Sequence, residues 1–141
     1  MEGLLVAAVV LALATVFGLV RRHRDGRLRA RKQGDGHVDE RLDAVELGAD
    51  LGERATLVQF SSAFCAPCRA TRRILGEVAE MVEGVEHVEL DAEAHLELVR
   101  RLNVIRTPTV LVLDGAGRVV RRAAGAPRKS DVIAALGTAI P

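Results

Sequence analysis

The sequence predicts an α/β domain, a mixed central sheet with helices on both faces, preceded by one N-terminal transmembrane helix. Three observations predict it. An uncharged apolar run fills Leu4 to Val20. A strand-like segment, Thr56 to Phe60, leads into Cys65-Ala66-Pro67-Cys68 at the start of a helical pattern. Strand and helix patterns then alternate and close on a hairpin and a last helix. With 141 residues, 49% hydrophobic and 28% charged, the chain has room for one such domain with a packed core. Phe17, Phe60 and Phe64 are its only aromatics, so Leu, Val, Ile and Ala must build that core.

Thr15 is the only hydroxyl in the run from Leu4 to Val20, which is long enough to cross a bilayer as a helix. A cleaved signal peptide is the rival reading. It calls for positive residues ahead of the run and a small-residue site behind it. Here Met1-Glu2-Gly3 precedes, and Ala12-Leu13-Ala14 lies inside the run. Residues 1–20 are therefore read as a membrane segment. Residues 21–32 carry seven Lys/Arg against one acid, Asp25, and residues 21–38 read as a basic juxtamembrane linker without apolar period. The positive-inside bias then keeps residues 21 onward in the cytoplasm, making the protein a single-pass protein of the cell membrane; an extracytoplasmic domain is the alternative. From residue 33 on, 13 basic residues face 17 acidic ones. Basic residues gathered beside an apolar run, not spread over a folded face, argue against nucleic acid as a partner.

Residues 39–141 form the folded part. Leu42 to Leu51 alternates loosely and predicts a first short strand and turn. Thr56-Leu57-Val58-Gln59-Phe60 is a buried strand, broken by Ser61-Ser62-Ala63. From Cys65 to about Glu83, Ile74, Leu75, Val78, Ala79 and Val82 recur at helical spacing, and Gly84 ends the helix. His87 to Asp91 alternates as a strand. Glu93 to Leu102 follows as a helix with Leu98 and Leu102 toward the core. Thr109 to Leu113 and Arg118 to Ala123 form a hairpin around Asp114-Gly115-Ala116-Gly117. Ser130 is placed as the cap of a last helix, Asp131 to about Ala139. The order β-α-β-α-β-β-α gives a mixed sheet.

The two cysteines, Cys65 and Cys68, are too close in sequence to staple a fold, so they point to redox chemistry or metal. Metal would need four ligands, and no second cysteine pair exists. His87 and His95 have no usual ligand spacing and read as solvated or core-edge residues; no metal site is assigned. Redox chemistry has a mechanism in this setting. A thiolate, not a thiol, attacks a disulfide, and the unpaired N–H groups of a helix start favour negative charge at Cys65. Pro67 supports the first turn, because it removes a donor that would be orphaned there and presets the helical dihedral. Cys65 is thus read as the nucleophile. Cys68, one turn on, is the resolving thiol. Pro108, before a central strand, either opens that strand in trans or forms a cis bond with Thr107.

The stretch Val58-Gln59-Phe60-Ser61-Ser62-Ala63-Phe64-Cys65-Ala66-Pro67-Cys68-Arg69, followed by Val104-Ile105-Arg106-Thr107-Pro108-Thr109 and by Gly125 after the hairpin, resembles the thioredoxin family over residues 42 to 140. The resemblance implies a thioredoxin-like fold and a cis Thr107–Pro108 bond beside the cysteines. It also implies a groove lined by Phe64, Ala66, Thr107, Pro108 and Gly125, in which a substrate polypeptide pairs with the backbone before the proline. Two residues depart from the family pattern. Phe64 stands where many members have Trp, and Gln59 where many have a buried Asp that moves protons at the resolving thiol. Gln59 cannot ionise.

The expected function is protein-disulfide reduction by a membrane-tethered thiol–disulfide oxidoreductase. Its partners would be protein disulfides and an upstream electron donor such as a thioredoxin reductase. The alternatives are an extracytoplasmic thiol oxidant, isomerase or cytochrome-maturation reductase, and a non-catalytic interaction or redox-sensing module. No bound cofactor is expected, since no Gly-rich phosphate loop lies between a strand and a helix.

Overall fold

The computed structural model describes residues 1–30 and 40–141. The first helix, α1 (Glu2–Arg24), buries none of its residues and is long and apolar enough to cross a membrane. At 1.5 Å per residue its 23 residues reach about 35 Å. It continues past Val20, where the apolar run ends, through Arg21-Arg22-His23-Arg24, whose three arginines suit the negative end of a helix dipole. Part of the expected linker is thus helical. Another part, β1 (Arg29–Ala30), is a two-residue strand; residues 31–38 of that linker lie outside the described residues.

The sheet contains β1, β2 (Ala55–Ser61), β3 (Val85–Asp91), β4 (Thr109–Asp114) and β5 (Val119–Ala124), in the order β1-β5-β4-β2-β3. β2 and β3 are parallel, with Val58 opposite Val88, and the other pairings are antiparallel, with Val58 opposite Leu111. The mixed α/β sheet expected from the element order is therefore present. All seven residues of β2 are buried, as a central strand covered on both faces requires.

Strand alternation sorts the core into two layers. Ala55 and Leu57 of β2, with Val110 and Val112 of β4, pack beneath α3 (Ala66–Met81) and α5 (Lys129–Ala139) through Leu75, Val78, Val132 and Leu136. Val58, Phe60, Leu111 and Leu113 face the other way, against Leu98 of α4 (Leu96–Arg101), Leu102 and Leu47. Leu98 and Leu102 are buried, as their spacing predicts.

Four local expectations change. The strand expected within Leu42–Leu51 is instead the short helix α2 (Ala44–Leu47). Asp43 accepts the Glu46 N–H at 2.8 Å and Glu46 Oε2 accepts the Asp43 N–H at 3.2 Å, a capping box that starts a helical turn. Ser130 does not cap α5. Arg128, directly after Pro127, takes the cap position without a side-chain bond, and the helix begins at Lys129. α4 begins three residues later than expected, because Asp91 holds the preceding turn by accepting the Glu93 N–H at 2.9 Å and the Ala94 N–H at 3.1 Å. α3 ends at Met81, with Val82 extended, so Gly84 (φ +80°) serves the turn into β3 and not the helix end itself.

Candidate active site

β2 delivers the chain to Ser61, and α3 begins five residues later with Cys65 as its N-cap and Pro67 in its first turn. Cys65 and Cys68 are joined by a disulfide, with Cα atoms 5.2 Å apart. Their surroundings differ. Cys65 is half-buried, whereas Cys68 is 2% exposed and shares the inner face of α3 with Thr71, Leu75 and Val78.

The Thr107–Pro108 bond is cis. Pro108 is buried and accepts the Gly125 N–H at 2.7 Å, which draws the end of the hairpin against the proline. Ser62 Oγ and Thr107 Oγ1 lie 2.8 Å apart, tying the loop before the cysteines to the loop before the proline. Thr107 makes no backbone hydrogen bond among the described residues. Phe64 is fully exposed at 103%, and Ala66 is exposed beside it.

Gln59 is completely buried and on the same face of β2 as Leu57, beneath α3. Its Nε2 donates to the Cys68 carbonyl at 2.8 Å and to Ser61 Oγ at 3.0 Å. Its Oε1 lies 3.1 Å from His87 Nε2. The parallel register explains the meeting: Leu57 pairs with His87 and Gln59 with Glu89, so all four side chains share one face. Glu89 completes the cluster through Arg72 of α3, whose Nη2 donates to Glu89 Oε1 at 2.6 Å. The hydrogen bond from Arg72 holds the Glu89 carboxyl below its ordinary range. Burial pushes His87 below its ordinary value, with the Glu89 charge opposing.

His87 is therefore a half-buried partner of Gln59, more specific than the core-edge residue expected, and Arg72 and Glu89 join the site without any motif in the sequence to mark them. The usable signal was strand parity: once β2 and β3 are parallel, His87 and Glu89 fall on the face that carries Gln59. Among the described residues no three His, Cys, Asp or Glu side chains stand close enough to share a metal ion.

Over 89 residues the chain is 30% identical to thioredoxin of Mycobacterium bovis, covering 62% of this chain and 76% of that one. It is 29% identical over 89 residues to the bifunctional thioredoxin reductase/thioredoxin of Mycobacterium leprae, of whose length it spans only 19%. Among solved structures, chloroplastic thioredoxin z superposes with a TM-score of 0.55 at 25% identity, over 61% of this chain and 78% of that one. Reduced Schistosoma mansoni thioredoxin pre-protein gives 0.55 at 21%, over 63% and 82%, a likeness of fold. The sequence model of the thioredoxin family matches residues 45–138, from α2 to the last turn of α5 and including the cysteine pair and the cis proline. That span holds the whole site, and the chain belongs to the thioredoxin family.

Proposed function

We propose that the protein is a membrane-tethered thiol–disulfide oxidoreductase that reduces disulfides in other proteins, with Cys65 as nucleophile and Cys68 as resolving thiol. The observation that carries this reading is the asymmetry of the pair, a half-buried Cys65 at the start of a 16-residue helix and a Cys68 that is 2% exposed beneath it. An incoming disulfide meets Cys65 first, where the helix start favours its thiolate.

In the reduced protein the Cys65 thiolate attacks one sulfur of the substrate disulfide. A mixed disulfide forms, and the other substrate sulfur leaves as a thiolate and takes up a proton. Cys68 loses its proton and attacks the Cys65 sulfur. The second substrate thiol is released and the Cys65–Cys68 disulfide forms, so two electrons have passed to the substrate. Thr107, with its backbone N–H and C=O unpaired among the described residues, offers the substrate an added-strand contact beside the exposed Phe64 and Ala66. Pro108 and Gly125 form the floor of that groove. Electrons return from a thioredoxin reductase, the activity named in the Mycobacterium leprae relative.

The tether is α1. Its apolar side chains are exposed all round, for example Leu11 at 73% and Phe17 at 67%, a surface suited to lipid. The arginines that follow favour a cytoplasmic side for the domain through the positive-inside bias.

Trapping tests the chemistry. With Cys68→Ser, Cys65 should accumulate mixed disulfides with cellular proteins; if none form and the intact protein leaves a model disulfide unreduced, the enzymatic reading fails. Labelling tests the side. A membrane-impermeant thiol reagent should leave Cys65 unmodified in intact cells and modify it after permeabilisation; strong labelling of intact cells would place the domain outside.

A further inference from the structure

The tether does not leave the domain on a loose leash. α1 stays helical for four residues beyond Val20, about 6 Å along its axis. The next two residues are docked on the domain. Gly26 N–H donates to the Ala124 carbonyl at 3.0 Å, and Arg106 Nη2 donates to Asp25 Oδ1 at 3.0 Å and to the Ala124 carbonyl at 2.5 Å. Gly26 has φ +76°, and a Cβ there would come within 2.0 Å of the Ala126 carbonyl oxygen, so the approach needs glycine. Arg29 and Ala30 then pair with Arg122 and Arg121 on the edge of β5.

This docking also orients the site. A cavity of about 1110 Å³ lies between the end of α1 and α5, and its walls include Leu19 and Arg22 of α1 as well as Pro67, which stands between the two cysteines. Arg22, Arg27, Arg121 and Arg128 outnumber Asp25 and Asp131 in lining this space, a net positive wall suited to lie against anionic headgroups. Phe64, next to Cys65, and Ile105, three residues before Pro108, are exposed apolar residues, and Pro67, three residues after Phe64, lines the cavity beside the end of α1. Gly26 N also lies 3.0 Å from where a Cβ of Gly125 would be, so the juxtamembrane segment walls one side of the substrate groove.

We infer that the substrates of this site are disulfides carried on juxtamembrane segments of integral membrane proteins, close to the bilayer surface. The inference rests on the reductase reading above and narrows it. A cystine held far above the bilayer does not reach a dithiol whose intervening Pro67 lies beside the end of the span. A cystine just outside a neighbouring span meets both Cys65 and the exposed apolar Phe64 and Ile105, which suit the apolar residues flanking it.

The test is a profile of rate against height. The full chain, reduced with dithiothreitol, is reconstituted in lipid nanodiscs with a single-span peptide bearing a disulfide on helical spacers of about 5, 15 and 30 Å. A small soluble disulfide is measured in parallel. The shortest spacer should react about tenfold faster than the longest, the scale on which geometry changes effective concentration. A second variant carries about ten Gly/Ser residues inserted between Arg24 and Asp25, giving roughly 18 Å of flexible reach while leaving the docking contacts intact. It should flatten the profile and reduce the soluble disulfide at an unchanged rate. A flat profile in the parent protein, or a steep one that survives the insertion, overturns the inference. Reduction of the soluble disulfide without any of the anchored ones overturns it alone. Loss of reduction everywhere, soluble disulfide included, overturns the reductase reading beneath it.

Discussion

Gln59 Oε1 lies 3.1 Å from His87 Nε2, while the amide nitrogen of the same side chain donates to the Cys68 carbonyl at 2.8 Å. A neutral, completely buried amide thus joins the turn of the cysteine pair to a titratable ring on the neighbouring strand. An amide orders its neighbours by hydrogen bonding but supplies no proton of its own.

Gln59→Leu removes every bond of that side chain and leaves buried partners unpaired. The expected loss is about 1–3 kcal/mol in urea unfolding. Gln59→Asp should instead add an ionisation to the pH–rate profile of disulfide reduction, with burial pushing the new carboxyl up. An unaltered profile in Gln59→Asp would show that proton transfer at Cys68 does not pass this position.

His87 gives stability a pH dependence above the carboxylate range. Burial lowers its pKa from the ordinary 6.5, so near and below that pH the unfolded chain binds a proton that the folded chain resists. The contribution is complete above about pH 6.5 and is lost as pH falls through the window below it. His87→Gln should flatten this part of the curve of Tm against pH. Glu89, held below its ordinary 4.5 chiefly by the hydrogen bond from Arg72, acts in a separate and more acid window, where protonation removes its contribution. The two steps should separate in thermal melts followed from neutral pH down through the carboxylate range.

Gly125 has φ +106°, and a Cβ there would lie 3.0 Å from both Arg106 Nη2 and Gly26 N. Gly125→Val should therefore cost about 1–3 kcal/mol from backbone strain. It should also slow reduction of a protein disulfide more than that of a small soluble one, because the proposed groove is reached only by the larger substrate. Equal slowing of both would remove Gly125 from substrate binding.

Phe60 is completely buried on the α4 side of β2. Phe60→Ala should destabilise the domain by about 3–5 kcal/mol, through lost burial and the cavity left behind. The midpoint of urea unfolding should fall while its slope stays constant; a changed slope would point to a loosened native or denatured state.

The strands β2 to β5, the helix through Cys68 and the hairpin at Asp114–Gly117 were legible because each is written in local periodicity and turn chemistry. α2 was also legible in principle, since Asp43 and Glu46 stand at capping-box spacing; the loose alternation of Leu42–Leu51 concealed it. The start of α5 turns on a similar local question: Ser130 is the better capping residue, yet Arg128, directly after Pro127, takes the cap position.

The apolar N-terminal run, the strands β2 to β5 and a cysteine pair at a helix start are written in the chain itself, because all of them depend on neighbours a few residues apart. The tertiary structure alone decided what those parts meet. Arg29 and Ala30 have no strand pattern and become β1 only because the edge of β5 offers them hydrogen bonds. Asp25 finds Arg106 across 81 residues, and His87 finds Gln59 across 28. Such contacts are fixed by register and by the closing of the chain on itself, and pattern along the chain does not encode them locally.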